Sequence, residues 1–531
     1  MVNSAVDIQN IFFAYGSAVR SAASNGETAA LDAATGTSSA IDGISLSVQK
    51  GECVLLTGIS GCGKTSLLRA VNGLIPNYYE GKLSGEIRLF SENSTGKPIY
   101  DISKTVATVF QNPKSQFFNL DTTSEIVFAL ENTGTAFEKM RERLDFVSKF
   151  LHIEHLLDRN IFNLSGGEKQ MIAIASALAS DTDILLFDEP TSNLDLYYIE
   201  KIADVLRFLK EAGKTLIISE HRLYFLKDII DRAFLIKDGK IAQSFTRKEF
   251  AALSGKKRKE LLLRPVSINE RTFECPADER MRPLCPPSTA PLSSVKSSSL
   301  HIEQLSYRFP KDKRDFLDVR NLQLDFGKII ALTGKNGQGK STLAQCLTGL
   351  LKSRTDEVFI DGKKTKAAQR LKISYMVLQD VGYQLFTESV ADEIELGKNK
   401  PRSSTQTAPI FTTEEILQKM NLSEVKERHP LSLSGGQKQR VSIGAAVGSG
   451  AHIIIMDEPT SGMDYFHMKE TARLINSIRS PENLILIISH DFEFLSLVAD
   501  EVVLMEKGGI ACHGAFDNKE AERLFNLLKN G

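Results

Sequence analysis

Two segments of this chain follow one pattern. Gly58-Ile59-Ser60-Gly61-Cys62-Gly63-Lys64-Thr65 and Gly334-Lys335-Asn336-Gly337-Gln338-Gly339-Lys340-Ser341 both read G-x-x-x-x-G-K-[ST]. That pattern marks a glycine-rich loop whose backbone N–H groups cradle phosphate. The residues behind each loop recur as well. Leu164-Ser165-Gly166-Gly167-Glu168-Lys169-Gln170 pairs with Leu433-Ser434-Gly435-Gly436-Gln437-Lys438-Gln439. Asp188-Glu189-Pro190-Thr191-Ser192 pairs with Asp457-Glu458-Pro459-Thr460-Ser461, and His221 with His490. These three pairs share an offset of 269 residues, while the loops are offset by 276. A register held over so many landmarks is an internal repeat. With two copies in 531 residues, each half is large enough to hold its own core.

The repeat places a first domain at residues 1–263, a linker at 264–299 and a second domain at 300–531. The linker is expected to be an extended, poorly ordered tether, since it carries Cys285-Pro286-Pro287 and Ser297-Ser298-Ser299. Gly16 to Ala40 is rich in Ala, Ser, Gly and Thr, and reads as a mobile loop. Its counterpart, Pro310 to Phe316, is short.

Each phosphate loop follows a short apolar run, Cys53–Thr57 or Ile329–Thr333, and precedes a helical stretch, Ser66–Val71 or Thr342–Leu347. Val6–Tyr15 reads as a strand, being rich in β-branched and aromatic residues. Further continuous apolar runs are Ile184–Phe187, Leu216–Ser219, Ile453–Met456 and Leu484–Ser489. Such runs alternating with helical stretches predict an α/β fold whose mainly parallel sheet is covered on both faces.

Lys and Arg total 65 against 66 Asp and Glu, a net charge of −1, so no nucleic acid partner is expected. The run Lys256-Lys257-Arg258-Lys259 reads as solvated surface. No secretory signal is expected from Met1 to Val19. The longest apolar runs, such as Leu484–Ile488, are about five residues, against the roughly 20 that a bilayer span needs. Any transport role therefore needs separate pore-forming subunits. None of the six cysteines forms a C-x-x-C pair, which argues for reduced thiols and against a zinc site. Cys62 lies inside a phosphate loop, so its alkylation is expected to block nucleotide binding.

The motif chemistry assigns roles. Lys64 and Lys340 should reach the β- and γ-phosphates, and Thr65 and Ser341 should ligate Mg²⁺. Asp188 and Asp457, ending apolar strands, are placed to hold that ion. Glu189 and Glu458 follow, and can turn toward the γ-phosphate to polarise water as general bases.

The phosphate loop combined with Leu-Ser-Gly-Gly-x-Lys-Gln resembles the ATP-binding-cassette (ABC) ATPase family, over nearly all of both halves. The resemblance implies two P-loop NTPase cassettes, each with a RecA-like, mainly parallel core, antiparallel strands and a helical subdomain. It implies ATP hydrolysis with ATP and Mg²⁺ as cofactors. The two cassettes would pair head to tail within the chain. One ATP would lie between the loop Gly58–Thr65, with Ser66, and the signature Ser434, Gly435 and Gly436. The other would lie between Gly334–Ser341, with Thr342, and Ser165, Gly166 and Gly167. Gln111 and Gln379 would be the Q-loop glutamines, and His221 and His490 the switch histidines, each 32 residues beyond its glutamate. Ser192–Asp195 and Ser461–Asp464 match the D-loops. Tyr15 and Phe309 align with the adenine-stacking aromatic, or else belong to the core. Met171 stands where an arginine is usual after the signature, and the second half has Arg440. Both halves keep Lys, Gln, Asp, Glu and His, so both sites are expected to hydrolyse ATP.

Flanking residues narrow the resemblance. Gly73-Leu74-Ile75-Pro76-Asn77-Tyr78-Tyr79-Glu80-Gly81, Val109-Phe110-Gln111-Asn112-Pro113 and Ser219-Glu220-His221-Arg222 are similar to energy-coupling-factor (ECF) importer ATPases. This implies a peripheral subunit on the cytoplasmic face of the cell membrane. Its partners would be a transmembrane coupling subunit and a substrate-binding membrane subunit, and the cargo a vitamin, thiamine precursor or cobalt/nickel ion. The alternatives are the ATPase of a conventional ABC transporter and a twin-cassette factor acting on ribosomes.

Overall fold

In the computed structural model the described residues are 4–16, 39–192, 194–267, 298–310, 314–396 and 411–530. Most of the loop expected over Gly16–Ala40, most of the expected linker, part of the short counterpart after Pro310, and Asn193 lie outside them. Arg264 and Val266, at the start of the expected tether, are buried. The chain divides into two compact units.

The first unit is built on two sheets. Its six-stranded sheet runs, in order, Lys240–Thr246, Arg232–Lys237, Cys53–Thr57, Thr215–Ser219, Ile184–Asp188 and Val106–Val109. Every neighbouring pair is parallel except the first. Cys53–Thr57, Ile184–Asp188 and Thr215–Ser219 are buried at every residue, as their unbroken apolar runs require of strands covered on both faces. A second sheet is antiparallel, ordered Ile41–Gln49, Ser4–Tyr15, Gly81–Leu89, Glu92–Asn93. Ile8, Ile44 and Ile87 of that sheet share one apolar cluster with Val54, Leu56 and Leu186 of the six-stranded sheet. Helices Thr122–Asn132, Phe137–Leu151 and Gly166–Ala179 supply the helical part.

The second unit repeats this plan. Its six strands run Gly509–Ala515, Glu501–Glu506, Ile329–Thr333, Leu484–Ile488, Ile453–Asp457 and Ser374–Val377. Its antiparallel sheet runs Leu317–Asp325, Ser299–Tyr307, Thr355–Ile360, Lys363–Lys364. The expected fold of two α/β cassettes with mainly parallel cores is therefore the observed one. The basic run Lys256–Lys259 lies on a helix, Gly255–Glu260, without a buried residue.

One buried charge in the second unit is a structural tie. Arg370 is fully buried and pairs with Asp356 at 2.7 Å. It also donates to the carbonyls of Leu347 and Cys346, near the C-terminal end of the phosphate-loop helix Lys340–Thr348. A cation there satisfies the Leu347 carbonyl, adds to the Gly349 N–H already on the Cys346 carbonyl, and suits the helix dipole. Replacing Arg370 with Met should leave those carbonyls and Asp356 without it. An expected loss of about 3 kcal/mol would appear in the urea unfolding of this unit.

Candidate active site

Both phosphate loops take the shape that their glycines permit. Gly58 has φ 146°, and a Cβ there would stand 2.2 Å from the Ile236 carbonyl oxygen. Gly334 has φ 139°, and a Cβ there would meet the Met505 carbonyl oxygen at 2.3 Å. Neither position accepts a side chain. The helices Lys64–Val71 and Lys340–Thr348 begin directly after Gly63 and Gly339. Their first N–H groups and dipoles therefore face the loops.

Each loop lysine is buried within its own turn. Lys64 Nζ donates to the carbonyls of Gly58 and Ile59, both at 3.1 Å. Lys340 Nζ donates to Gly334 at 2.7 Å and Lys335 at 2.8 Å. Burial pushes the Lys340 ammonium below its ordinary range, although nearby acids, Glu458 first, oppose the shift. Cys62 Sγ is 3.9 Å from Lys64 Nζ and only 4% exposed. Burial raises its thiol pKa, and Lys64 only partly offsets this. The cysteine expected to block binding when alkylated is thus a poorly accessible, poorly ionised target.

The next residue of each loop meets the aspartate that ends a core strand. Thr65 Oγ1 donates to Asp188 Oδ1 at 3.0 Å, and Ser341 Oγ to Asp457 Oδ2 at 2.7 Å. Hydroxyl and carboxylate oxygens converging at one point form a hard-oxygen donor set, which suits Mg²⁺. Asp188 is pushed up to about 6, by burial first and then by the charge of Glu189. Burial likewise raises Asp457. A buried carboxylate lifted in this way is one that a divalent cation would stabilise.

Glu189 and Glu458 leave strand geometry. Their φ values are 45° and 49°, a left-handed conformation uncommon outside glycine. Backbone bonds hold them there, from Glu189 N–H to the Ser219 carbonyl and from Glu458 N–H to the Ile488 carbonyl, each 2.9 Å. The turn keeps both acids of each pair at the strand end. Gln111 Nε2 donates to Glu189 Oε2 at 2.7 Å, and His221 Nε2 lies 3.1 Å from Glu189 Oε1. His221 Nε2 is also 3.4 Å from Lys64 Nζ. Burial alone would raise Glu189, but the bond and charge of His221 and the charge of Lys64 outweigh it and hold its carboxyl below the usual value.

The second unit differs in detail. His490 Nε2 is 3.6 Å from Glu458 Oε1 and 3.0 Å from Asn336 Oδ1 of the phosphate loop. Gln379 follows the strand Ser374–Val377, just as Gln111 follows Val106–Val109. The structure thus brings glutamate and histidine together in both units, and the Q-loop glutamine with them in the first.

The signatures start helices. Ser165 and Ser434 are N-caps whose hydroxyls accept from Glu168 and Gln437 N–H, each at 3.3 Å, within a capping box. An accepting hydroxyl keeps its own proton to donate. Gly167 packs under Tyr198, whose ring atoms lie 2.3 Å from where a Cβ would stand. Met171 is buried, and Arg440 is half-buried. Tyr15 packs edge-on against Phe13 at 4.9 Å, with its hydroxyl 2.9 Å from Ser66 Oγ on the phosphate-loop helix. Phe309 is 39% exposed and lies edge-on to Tyr307.

A family model described as ABC transporter matches residues 41–192 and 317–461, spanning every landmark from the Gly58 loop to Ser192 and from the Gly334 loop to Ser461. The chain belongs to the ABC transporter family. A Treponema denticola protein, provisionally named an ABC transporter ATP-binding protein, is 41% identical over 467 residues, 88% of this chain and 92% of that protein. A Bacillus subtilis protein, provisionally named an HMP/thiamine import ATP-binding protein, is 31% identical over 89% of this chain and 88% of its own. Among solved structures, RNase-L inhibitor aligns with a TM-score of 0.60 at 21% identity, covering 91% of this chain and 89% of that one. An archaeal ribosome recycling factor complexed with a ribosomal stalk protein gives 0.58, also at 21%. That level of identity speaks to the shared fold. This ABC ATPase is an ATP-binding, ATP-hydrolysing protein of two cassettes. No helix among the described residues is long and apolar enough to cross a membrane.

Two features of the site were not read from the sequence. One is the left-handed turn at Glu189 and Glu458, which no local pattern announces. The other is Glu220, a buried acid beside His221. Its apolar surroundings were the available signal, since a buried acid needs a partner.

The raised Asp188 gives a pH test. Its folded pKa of about 6 exceeds the ordinary 3.8, so folding favours the protonated form. Without bound cation, the carboxylate costs stability increasingly as pH rises from 3.8 through about 6. Asp188→Asn should therefore melt higher than the wild type near pH 7.5, by on the order of 3 kcal/mol at most. The gain should vanish near pH 4 in magnesium-free thermal melts.

Proposed function

We propose that this ABC ATPase powers a membrane importer of the ECF type, for a vitamin, a thiamine precursor or a cobalt or nickel ion. The observation that carries this reading is the 31% identity, over 89% of the chain, to the Bacillus subtilis HMP/thiamine import relative. Exposed aromatics support a docked membrane partner. Phe118 is 76% exposed just after the Gln111 loop, and Phe386 72% exposed just after the Gln379 loop. Each sits on a braced loop. Buried Glu125 accepts the N–H groups of Phe118 and Asn119, and buried Glu393 those of Phe386 and Thr387. A rigid loop showing an apolar ring to solvent is suited to a partner helix.

The proposed chemistry uses the residues at each strand end. Lys64 and Lys340 bind the β- and γ-phosphate oxygens from within their loops. Thr65 with Asp188, and Ser341 with Asp457, hold Mg²⁺, which when bound neutralises phosphate charge. Glu189 and Glu458 take the proton of the attacking water. His221 and His490 hold the γ-phosphate end, Gln111 orients Glu189, and Gln379 takes the matching place in the second cassette. Tyr15 and Phe309 border the adenine. The capped serines and glycines 165–167 and 434–436 each offer a second anion clamp to the nucleotide carried by the other cassette. ATP closes the cassettes head to tail on the cytoplasmic face of the membrane, and hydrolysis reopens them. A transmembrane coupling subunit transmits the movement to a substrate-binding subunit. The ATPase of a conventional ABC transporter is the second reading, since the Treponema denticola relative is named only as an ABC transporter protein.

Two measurements test this. Because both cassettes must reopen together for a new cycle, Glu189→Gln and Glu458→Gln, made separately, should each stall the pair and lower ATP turnover at least tenfold, within the range of a lost general base. A wild-type rate in either would overturn the two-site scheme. Affinity purification from detergent-solubilised membranes should recover two kinds of membrane subunit. Phe118→Ala combined with Phe386→Ala should reduce that recovery severalfold. Recovery of ribosomes instead would refute the importer reading.

A further inference from the structure

The first cassette carries an acid that none of the roles above uses. Glu220 lies between the strand Thr215–Ser219 and His221, and is 3% exposed. Its carboxylate accepts four hydrogen bonds. One oxygen takes the N–H groups of His221 at 2.7 Å and Arg222 at 3.0 Å. The other takes the Thr191 N–H at 3.3 Å and the Thr191 hydroxyl at 2.7 Å. Arg222 adds a tie from the same segment, donating to the Leu194 carbonyl at 3.1 Å. Thr191 is fully buried and stands two residues after Glu189. Glu220 thus clamps the chain that carries the switch histidine to the chain that leaves the strained glutamate.

The second cassette shows what happens without it. The matching residue is Ser489, whose hydroxyl donates to Glu458 Oε2 at 3.3 Å and accepts from Asp491 N–H at 3.1 Å. A serine is too short to span to Thr460. The Thr460 hydroxyl, the counterpart of Thr191, is buried with no hydrogen-bond partner among the described residues. The histidine–glutamate distance is 3.1 Å where the clamp exists and 3.6 Å where it does not.

We infer that Glu220 is a positioning residue, which sets His221 against Glu189 and makes the first cassette's hydrolytic site more tightly organised than the second's. It acts through the two chain segments that its carboxylate ties together. Bonds to a charged acceptor are the stronger kind, and a buried carboxylate keeps them fixed. The inference rests on the hydrolytic roles proposed for Glu189 and His221.

The test uses the full-length chain with Glu220→Gln and, as a milder second variant, Thr191→Val. Steady-state ATPase rates, thermal melts and fluorescent-nucleotide binding are measured beside Glu189→Gln. Glutamine keeps the shape but turns an amide NH2 toward groups that are themselves donors. The expected result is a three- to tenfold fall in kcat, KM and nucleotide affinity within twofold, and a smaller fall for Thr191→Val. A normal kcat in Glu220→Gln, with Glu189→Gln impaired, overturns the inference and leaves the site assignment standing. A kcat loss matched by raised KM and a lowered melting temperature also overturns it, since that marks structural damage alone. Wild-type turnover in Glu189→Gln sinks the site assignment and the inference together.

Discussion

Much of each cassette depends on ending a fully buried parallel strand in two carboxylates. Ile184–Asp188 and Ile453–Asp457 have no exposed residue, so the acids at their ends begin in a place hostile to charge. Everything around them answers that cost. A hydroxyl from the phosphate-loop helix binds each aspartate. The next residue turns left-handed and carries the second acid along the sheet edge to meet a histidine. The raised pKa of Asp188 shows that protein groups leave part of the cost unrelieved. A bound cation would neutralise these acids and a phosphate the loop lysine, so binding and stability are linked here.

The loop lysine is the complementary charge. It sits inside a turn that only glycine can make, because carbonyl oxygens of the strands Arg232–Lys237 and Glu501–Glu506 stand where a Cβ would go at Gly58 and Gly334. The loop, its lysine and the strand-end acids thus form one electrostatic unit within each cassette. Removing a member changes the charge balance felt by the others, so single substitutions there report on the group.

The two cassettes share this unit and differ in what braces it. The first has Gln111 and His221 on Glu189, with Glu220 behind them. The second has His490 turned to Asn336 of the phosphate loop and a serine where Glu220 would be. The duplicated halves keep the loop lysine, the acid pair and the histidine, and differ in what supports them. The helical parts show the converse, since the supports are kept: Glu125 and Glu393 brace matching loops whose sequences otherwise differ.

The core strands were legible because continuous apolar runs have few other uses. Cys53–Thr57 was expected at its observed bounds, and Ile184–Phe187 short of them by one residue. The strand Ile41–Gln49 was not anticipated, although Ile44-Ser45-Leu46-Ser47-Val48 alternates apolar and polar residues as a half-buried strand does. The basic run Lys256–Lys259 was correctly read as surface. Sequence alone determined the duplication, the phosphate loops and the identity of the acids, since each depends on residue type at fixed spacing. Only the tertiary structure decided which side chains meet. Glu189 and His221 are 32 residues apart in the chain and 3.1 Å apart in space. That closeness comes from adjacent parallel strands and one left-handed turn, and neither leaves a signature in local composition.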